Sequence, residues 1–198
     1  MKQKAFGILF VILLLAFTGF ADAQEGRVIE VSTSGQFVNA LNDLKPGDTI
    51  NILPGEYDLQ KRIEISTEAS EKSPIVIRAK KEGTVVFKNQ SWFTFRHASH
   101  ITVEGFDFKS TDGPAIELLG SSFIRVTNNA FRLKETKQSI WVVIRNDGDA
   151  PGKKSHHNRV DYNLFENKKL LGNFVAIEIA NQPVTQSSQY DVISNNYF

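Results

Sequence analysis

The chain has 198 residues, no cysteine and a nearly balanced charge, 23 Lys and Arg against 22 Asp and Glu, for a formal net charge of +1. That balance argues against a nucleic-acid binder, which carries a basic excess, although a local basic groove on a neutral protein can still attract an acidic ligand. Without cysteine there is neither a disulfide framework nor a lipobox for a lipid anchor, so a hydrophobic core must hold the fold.

Lys2 and Lys4 form a positive n-region, an unbroken apolar run follows from Ala5 to Phe17, and Ala21-Asp22-Ala23 closes the segment with an A-x-A cleavage pattern. The run is shorter than the roughly 20 residues a membrane span needs. The sequence thus predicts a signal peptide over 1–23, a secreted or periplasmic protein, and no membrane insertion after cleavage before Gln24. Cleavage removes Lys2, Lys4 and Asp22, which leaves 21 basic and 21 acidic residues on a chain long enough for one domain.

One helix signal follows. Thr33 can cap it while Gln36 reaches back in a capping box. Phe37, Ala40, Leu41 and Leu44 then fall on one stripe, and Lys45-Pro46-Gly47-Asp48 ends it, giving a helix over about 34–44. From Thr49 on, the chain reads as short strands, among them Ile50–Leu53, Ile63–Ile65, Ile75–Ile77, Val85–Phe87 and Ile101–Val103. Turn residues punctuate them at Pro54-Gly55, Asp112-Gly113-Pro114 and 147–152.

An internal repeat organises these strands. The segments Val126–Phe131, Val160–Phe165 and Ile193–Phe198 each carry an aliphatic residue, Asn three positions later and Phe two after that; Val103–Phe108 is a degenerate copy without the Asn. The copies lie 23, 34 and 33 residues apart, as solenoid rungs with loops of variable length would. A second repeat aligns Ala115–Leu118 with Ala176–Ile179, and Ile144–Asn146 with Ile179–Asn181. Each unit buries its apolar face only by stacking on the next. The Asn suits a corner, where it tolerates left-handed backbone and can form an amide ladder, and the Phe fills the interior. A β-sandwich would also supply strands but leaves the recurring Asn-x-Phe unexplained.

The fold expected is therefore all-β: a right-handed parallel β-helix with an N-terminal capping helix, rungs over about 49–198, and a stack truncated at its C-terminal end. The helix suits the cap that an open strand edge requires, whereas Phe198 leaves the last rung uncovered. About five rungs at ~4.8 Å give a stack ~24 Å tall.

The sequence resembles polysaccharide lyase family six, which contains chondroitinase B and many alginate lyases. The resemblance runs through Leu44–Ile50 with Pro54–Tyr57, Ser73–Ala79, Ile101–Phe108, Asn158–Glu166, Leu171–Asn173 and Val192–Phe198. It implies a lyase that cleaves a uronic-acid polysaccharide by β-elimination, alginate favoured and chondroitin or dermatan sulfate as the alternative. It further implies a calcium ion that neutralises the uronate carboxylate, a lysine base and an assisting arginine. None of the family's Asn, Glu-x-Glu, Lys or Arg-His-Gly motifs matches a position here. No catalytic residue and no metal ligand is therefore assigned; these are expected downstream of Phe198, with the chain alone inactive.

Local candidates remain. Arg145, Lys153 and Lys154 are the candidate substrate-binding residues, since an outward guanidinium can grip a carboxylate in bidentate fashion and loop lysines can steer an acidic chain. Lys168 and Lys169 share the second role, though ordinary solvated lysines are the simpler reading of all four. Glu117 and Glu178 are expected at equivalent outward places ~10 Å apart, two rungs on, and read as solvated strand-face carboxylates. His156 and His157, adjacent on a strand, would face opposite sides and could not share a metal. His97 and His100 lie in a polar turn without an acidic partner at ligand spacing and read as structural. Trp92 and Trp141 could stack on sugars or serve the core. Two other functions compete with the lyase: a β-helix glycoside hydrolase, and a non-catalytic carbohydrate-binding or adhesin-like solenoid.

Overall fold

A computed structural model describes residues 26–150, 152–178 and 188–198. The expected signal peptide with its cleavage site, Pro151, and the repeat residues Ile179 and Asn181 lie outside them. Among the described residues, seventeen strands fall into three sheets that the chain visits in turn. Sheet A holds β1 (Val28–Val31), β2 (Thr49–Ile52), β5 (Ile75–Ala79), β8 (Ile101–Glu104), β11 (Arg125–Thr127), β14 (Arg159–Asp161) and β17 (Val192–Ser194). Sheet B holds β3 (Gly55–Asp58), β6 (Val85–Asn89), β9 (Phe106–Ser110), β12 (Ala130–Phe131) and β15 (Leu164–Phe165). Sheet C holds β4 (Lys61–Ile65), β7 (Ser91–Arg96), β10 (Ile116–Leu119), β13 (Val142–Arg145) and β16 (Val175–Glu178). Every strand pairs in parallel with the strand one coil away. This is the expected parallel β-helix.

The helix α1 (Ser34–Asn42) closes one end. Thr33 Oγ1 accepts from Gln36 N at 3.2 Å, as the capping pattern predicts. Gln36 Oε1 reaches one residue further back than expected, accepting from Ser32 N at 2.9 Å. Phe37, Ala40, Leu41 and Leu44 are all buried. The Phe37 ring packs on Phe87 at 5.5 Å and Phe93 at 6.1 Å, so it covers the first coil's interior. Burying Phe37 and Leu41 contributes about 1.5–3 kcal/mol each. Strand β1, which precedes the helix, pairs with β2 and extends sheet A over that cap.

The interior is built in columns. Phe108, Phe131 and Phe165 stack at 4.8 Å with rings 7° apart, and Phe198 continues at 5.4 Å and 12°. Beside them Asn129, Asn163 and Asn196 form the expected ladder. Each Nδ2 donates to the Oδ1 of the next Asn at 3.1 Å, and each such Oδ1 also accepts a backbone N–H from the previous coil at 3.0 Å. The left-handed backbone falls one residue earlier than expected, at Asn128 (φ 52°), Tyr162 (54°) and Asn195 (53°). The corner is turned by that residue, and the next one is left to aim its amide along the stack.

A second corner, between sheets C and A, is built alike. Asn158 Oδ1 accepts from Ile124 N, and Asp191 Oδ1 from Asn158 N and Nδ2. One column of left-handed residues here is His100, Phe123, His157 and Tyr190. Their rings stack on the outside at 4.5, 5.0 and 4.8 Å. His100 thus has the structural role expected of it.

One register differs from the sequence repeat. Glu117 aligns with Val143 and Ala176, whereas Glu178 aligns with Arg145 and Leu119. The two glutamates are not equivalent. A strand repeats its sidedness every two residues, so a two-residue shift preserves the apolar alternation that suggested the match.

Candidate functional site on the outer face of sheet C

Along sheet C, inward residues such as Ile63, Phe93, Ile116 and Val142 are buried, which sends alternate side chains outward. Those outward positions carry Arg62 and Glu64 on β4, Thr94 and Arg96 on β7, Glu117 on β10, Arg145 on β13 and Glu178 on β16. Arg145 sits between the two glutamates, with Nε 3.3 Å from Glu117 Oε1 and NH2 3.5 Å from Glu178 Oε2. These are ion pairs without good hydrogen-bond alignment: Arg145 Nε is buried and makes no hydrogen bond. Glu117 is also held by Thr94 Oγ1 at 2.9 Å and faces Arg62 at 3.9 Å. The carboxylates expected to be merely solvated therefore belong to an arginine–glutamate lattice.

Two corner clefts flank this face. At the C-to-A corner lies a cleft of about 350 Å³ lined by Glu68, His97, Gly120, Lys153, Lys154 and His156, among others. It brings Lys153 and Lys154 together beside the sheet. Lys153 lies 3.4 Å from Glu68. The wall that carries both lysines is pinned by Asp147, which pairs with Arg96 and lies 2.9 Å from His97 Nε2. Burial alone would raise the Asp147 carboxyl, but the Asp149 N–H, His97 and Arg96 outweigh it and hold it below the usual carboxylate range. His97, expected to lack an acidic partner, acquires one from fifty residues away. Gly120 (φ 57°) lets the wall approach, since a Cβ there would lie 2.9 Å from Lys153 O.

At the B-to-C corner a wider cleft of about 500 Å³ is lined by Arg62, Trp92, Thr111, Asp112 and Lys137, among others. Its wall is the loop between β12 and β13. Asp112 fixes that loop by accepting from Thr136 Oγ1 at 2.7 Å and Lys137 N at 3.1 Å.

The remaining candidates fall elsewhere. Trp141 is fully buried, donates to Glu135 Oε1 at 2.9 Å, and lies under the Lys168 ammonium, 5.0 Å from the ring centre. Lys168 is itself buried and paired with Glu135, so it is a strut and not a solvated loop lysine. Lys169 is exposed, and its N–H donates to Glu135 Oε2 at 2.9 Å. His156 bridges in parallel to Ser122 and Gln189, but His157 leaves the extended backbone. The left-handed turn at His157 brings their Nδ1 atoms within 3.0 Å. Among the described residues no three of His, Cys, Asp and Glu converge to hold a metal.

Arg62, Arg96, Asp147 and Lys137 were not singled out in the sequence. The alternation Arg62-Ile63-Glu64 puts two charges on the outer face of β4 and was the available signal for the first. Asp147 is legible only once its loop folds onto β7.

A family profile described as Chondroitinase B matches residues 31–198. No curated protein matches the chain. Among solved structures it is similar to the PL6 family polysaccharide lyase Pedsa3628 from Pseudopedobacter saltans, with 20% identity, a TM-score of 0.55, and coverage of 85% of this chain and 46% of that one. It is likewise similar to alginate lyase AlyF-OU02, with 20% identity and a TM-score of 0.60 over 88% of this chain and 36% of the other. A variant of the PL6 family alginate lyase AlyGC matches at 19% identity and a TM-score of 0.52, over 87% and 28%. The chain spans less than half the length of each. At these identities the likeness shows the fold, which agrees with the stack described above. With the profile matched from β1 to the last residue, the chain belongs to the chondroitinase B family.

Proposed function

We propose that this chain serves a secreted polysaccharide lyase that cleaves a uronic-acid polymer by β-elimination, alginate in preference to dermatan or chondroitin sulfate. The outer face of sheet C holds the acid chain. The observation that carries this reading is Arg145, a guanidinium aimed outward from the groove floor and held by two glutamates at 3.3 and 3.5 Å without a formed Nε hydrogen bond. Such a group can exchange a poorly aligned partner for a bidentate uronate carboxylate. Lys153 and Lys154 at the neighbouring corner supply the positive field that draws the polymer in. The solved lyases similar in fold, described as alginate lyases, support the choice of substrate.

Elimination requires that the uronate carboxylate be neutralised before the proton beside it can leave. The calcium ion implied by the family resemblance does not fit the described residues, whose groove carboxylates are engaged by Arg62, Arg96 and Arg145. No step is assigned to it here. The part played by these residues is to bind and orient: Arg145 grips a carboxylate, and the lysines fix the chain's approach.

Incubated with alginate, the protein carrying these coils is expected to release unsaturated products that absorb in the ultraviolet. New reducing ends without that absorbance would contradict the lyase reading. Arg145→Ala is expected to weaken alginate binding about tenfold or more, the worth of a charged hydrogen bond. Unchanged affinity would remove Arg145 from the site.

A further inference from the structure

We propose that the cleft formed by Arg62, Trp92 and Lys137 is a separate acid-sugar subsite, taking one uronate residue of a polymer whose neighbouring residues lie across sheet C. This rests on the reading above, and adds to it a second anchoring point at the opposite corner from Lys153.

Arg62 has the features of a cation awaiting an anion. Its guanidinium lies over the Trp92 ring, 5.6 Å from the centre, with NH1 on Thr94 Oγ1 at 3.1 Å and NH2 on Pro114 O at 3.3 Å. Its ion-pair partner, Glu117, is 3.9 Å away and shared with the closer Arg145. Partial burial pushes the Arg62 guanidinium below the usual arginine range; Glu117 offsets part of this, and the like charge of Arg145 adds to it. The side chain is still 36% exposed, so a ligand can reach it.

The cleft around it is fixed. The Trp92 indole N–H is shared between Thr111 O at 3.1 Å and Asp112 O at 3.2 Å, which sets the plane of a part-exposed ring. Lys137 stands on the loop that Asp112 clamps, and that carboxylate is occupied by the Thr136 hydroxyl and backbone N–H groups. Two cations, an aromatic plane and the amides of Asn89 and Gln90 thus line about 500 Å³, within the ~300–1,000 Å³ common for small-ligand sites. An aromatic plane beside paired cations fits a sugar ring bearing a carboxylate. Strand β7 spans the face between Trp92 and the corner that begins at His97, so the two clefts lie roughly 17 Å apart along five residue steps. A short oligosaccharide reaches one cleft and a longer one reaches both.

Tryptophan emission tests this directly, because Trp92 lies in the cleft while Trp141 is fully buried and reports folding. The probes are a hexauronate prepared from alginate and its carboxyl-reduced, neutral counterpart. The expected result is a saturable emission change with the hexauronate, absent in Trp92→Phe. Its midpoint should shift about tenfold or more in Arg62→Gln and in the same direction in Lys137→Ala, and the neutral oligomer should bind far more weakly. Unchanged Trp141 emission in Trp92→Phe certifies the fold. Equal binding of acidic and neutral oligomers would overturn the subsite. So would hexauronate binding that is weakened by Lys153→Ala but indifferent to Arg62→Gln and Trp92→Phe, a result that would leave the proposed function standing. No binding to the wild-type chain by any readout would overturn both.

Discussion

Removing the side chain of Asn163 should cost more than removing any exposed polar group in this molecule. Asn163 is fully buried in the middle of its ladder. Its Oδ1 accepts from Asn129 N and Nδ2 at 3.0 and 3.1 Å, and its Nδ2 donates to Val126 O at 2.9 Å and Asn196 Oδ1 at 3.1 Å. In Asn163→Ala, Asn196 Oδ1 keeps the Asn163 backbone N–H and Asn129 Nδ2 keeps Val103 O, but Asn129 N and Val126 O lose the side chain that bonds them. At about 1–3 kcal/mol for each of these two buried groups, with the coils relaxing and water entering in part, the loss is about 2–4 kcal/mol. That is a large share of a stability that for single domains runs about 5–15 kcal/mol. Asn196→Ala is the control: it sits half-buried on the last coil, with the same kind of contacts on one side only, and should lose about 1–2 kcal/mol. Urea unfolding followed by far-ultraviolet circular dichroism measures both. Equal midpoints for the two variants, or losses within ~0.5 kcal/mol of wild type, would show that the amide ladder is not what joins the coils.

Acid should loosen the loop wall at the B-to-C corner. Burial alone would raise the Glu135 carboxyl, but the Lys168 ammonium, the N–H groups of Leu170 and Lys169 and the Trp141 indole bring it down from 4.5 to about 2. A depressed folded value means this stability is whole above pH ~4.5 and is lost as pH falls toward ~2, by at most about 3 kcal/mol. Thermal melts across that window, compared with Glu135→Gln, check it. Lys168→Met should cost about 3–5 kcal/mol at neutral pH, because it strands a buried carboxylate, and urea titration would register it. Gly120→Ala forces a side chain onto left-handed backbone and into Lys153 O. It should lose about 1–2 kcal/mol and weaken oligouronate binding by displacing Lys153, whereas a stable variant with unchanged affinity would separate that wall from the ligand.

The solenoid was legible because its columns repeat the same residue types: Phe108, Phe131, Phe165 and Phe198 recur at coil intervals and meet ring on ring. The cap was legible because a helix stripe and a capping pair are local. The second corner was hidden. Its left-handed column is filled by His100, Phe123, His157 and Tyr190, four positions united by backbone geometry and not by residue type. Sheet C was read two residues out of step because apolar alternation is blind to such a shift, and only hydrogen-bonded pairing separates Glu117 from Glu178. Of the candidate site, the sequence shows Arg145, Lys153 and Lys154 as cations but not what surrounds them. Their partners Glu117, Glu178 and Glu68 lie from 28 to 85 residues away in sequence, and the Asp147 clamp on Arg96 and His97 spans about fifty. Strand β3 was missed because Pro54-Gly55 reads as a turn, and there the turn and the strand start coincide.

Amide chemical-shift mapping of the chain with an alginate hexauronate bears most directly on where the acid polymer lies. Shifts are expected on the outward residues of sheet C and its two corners, among them Trp92, Thr94, Arg96, Glu117, Arg145 and Lys153, while the outer faces of sheets A and B stay unmoved. Shifts centred on the Arg125 and Arg159 face of sheet A, or spread evenly over all three sheets, would contradict that placement.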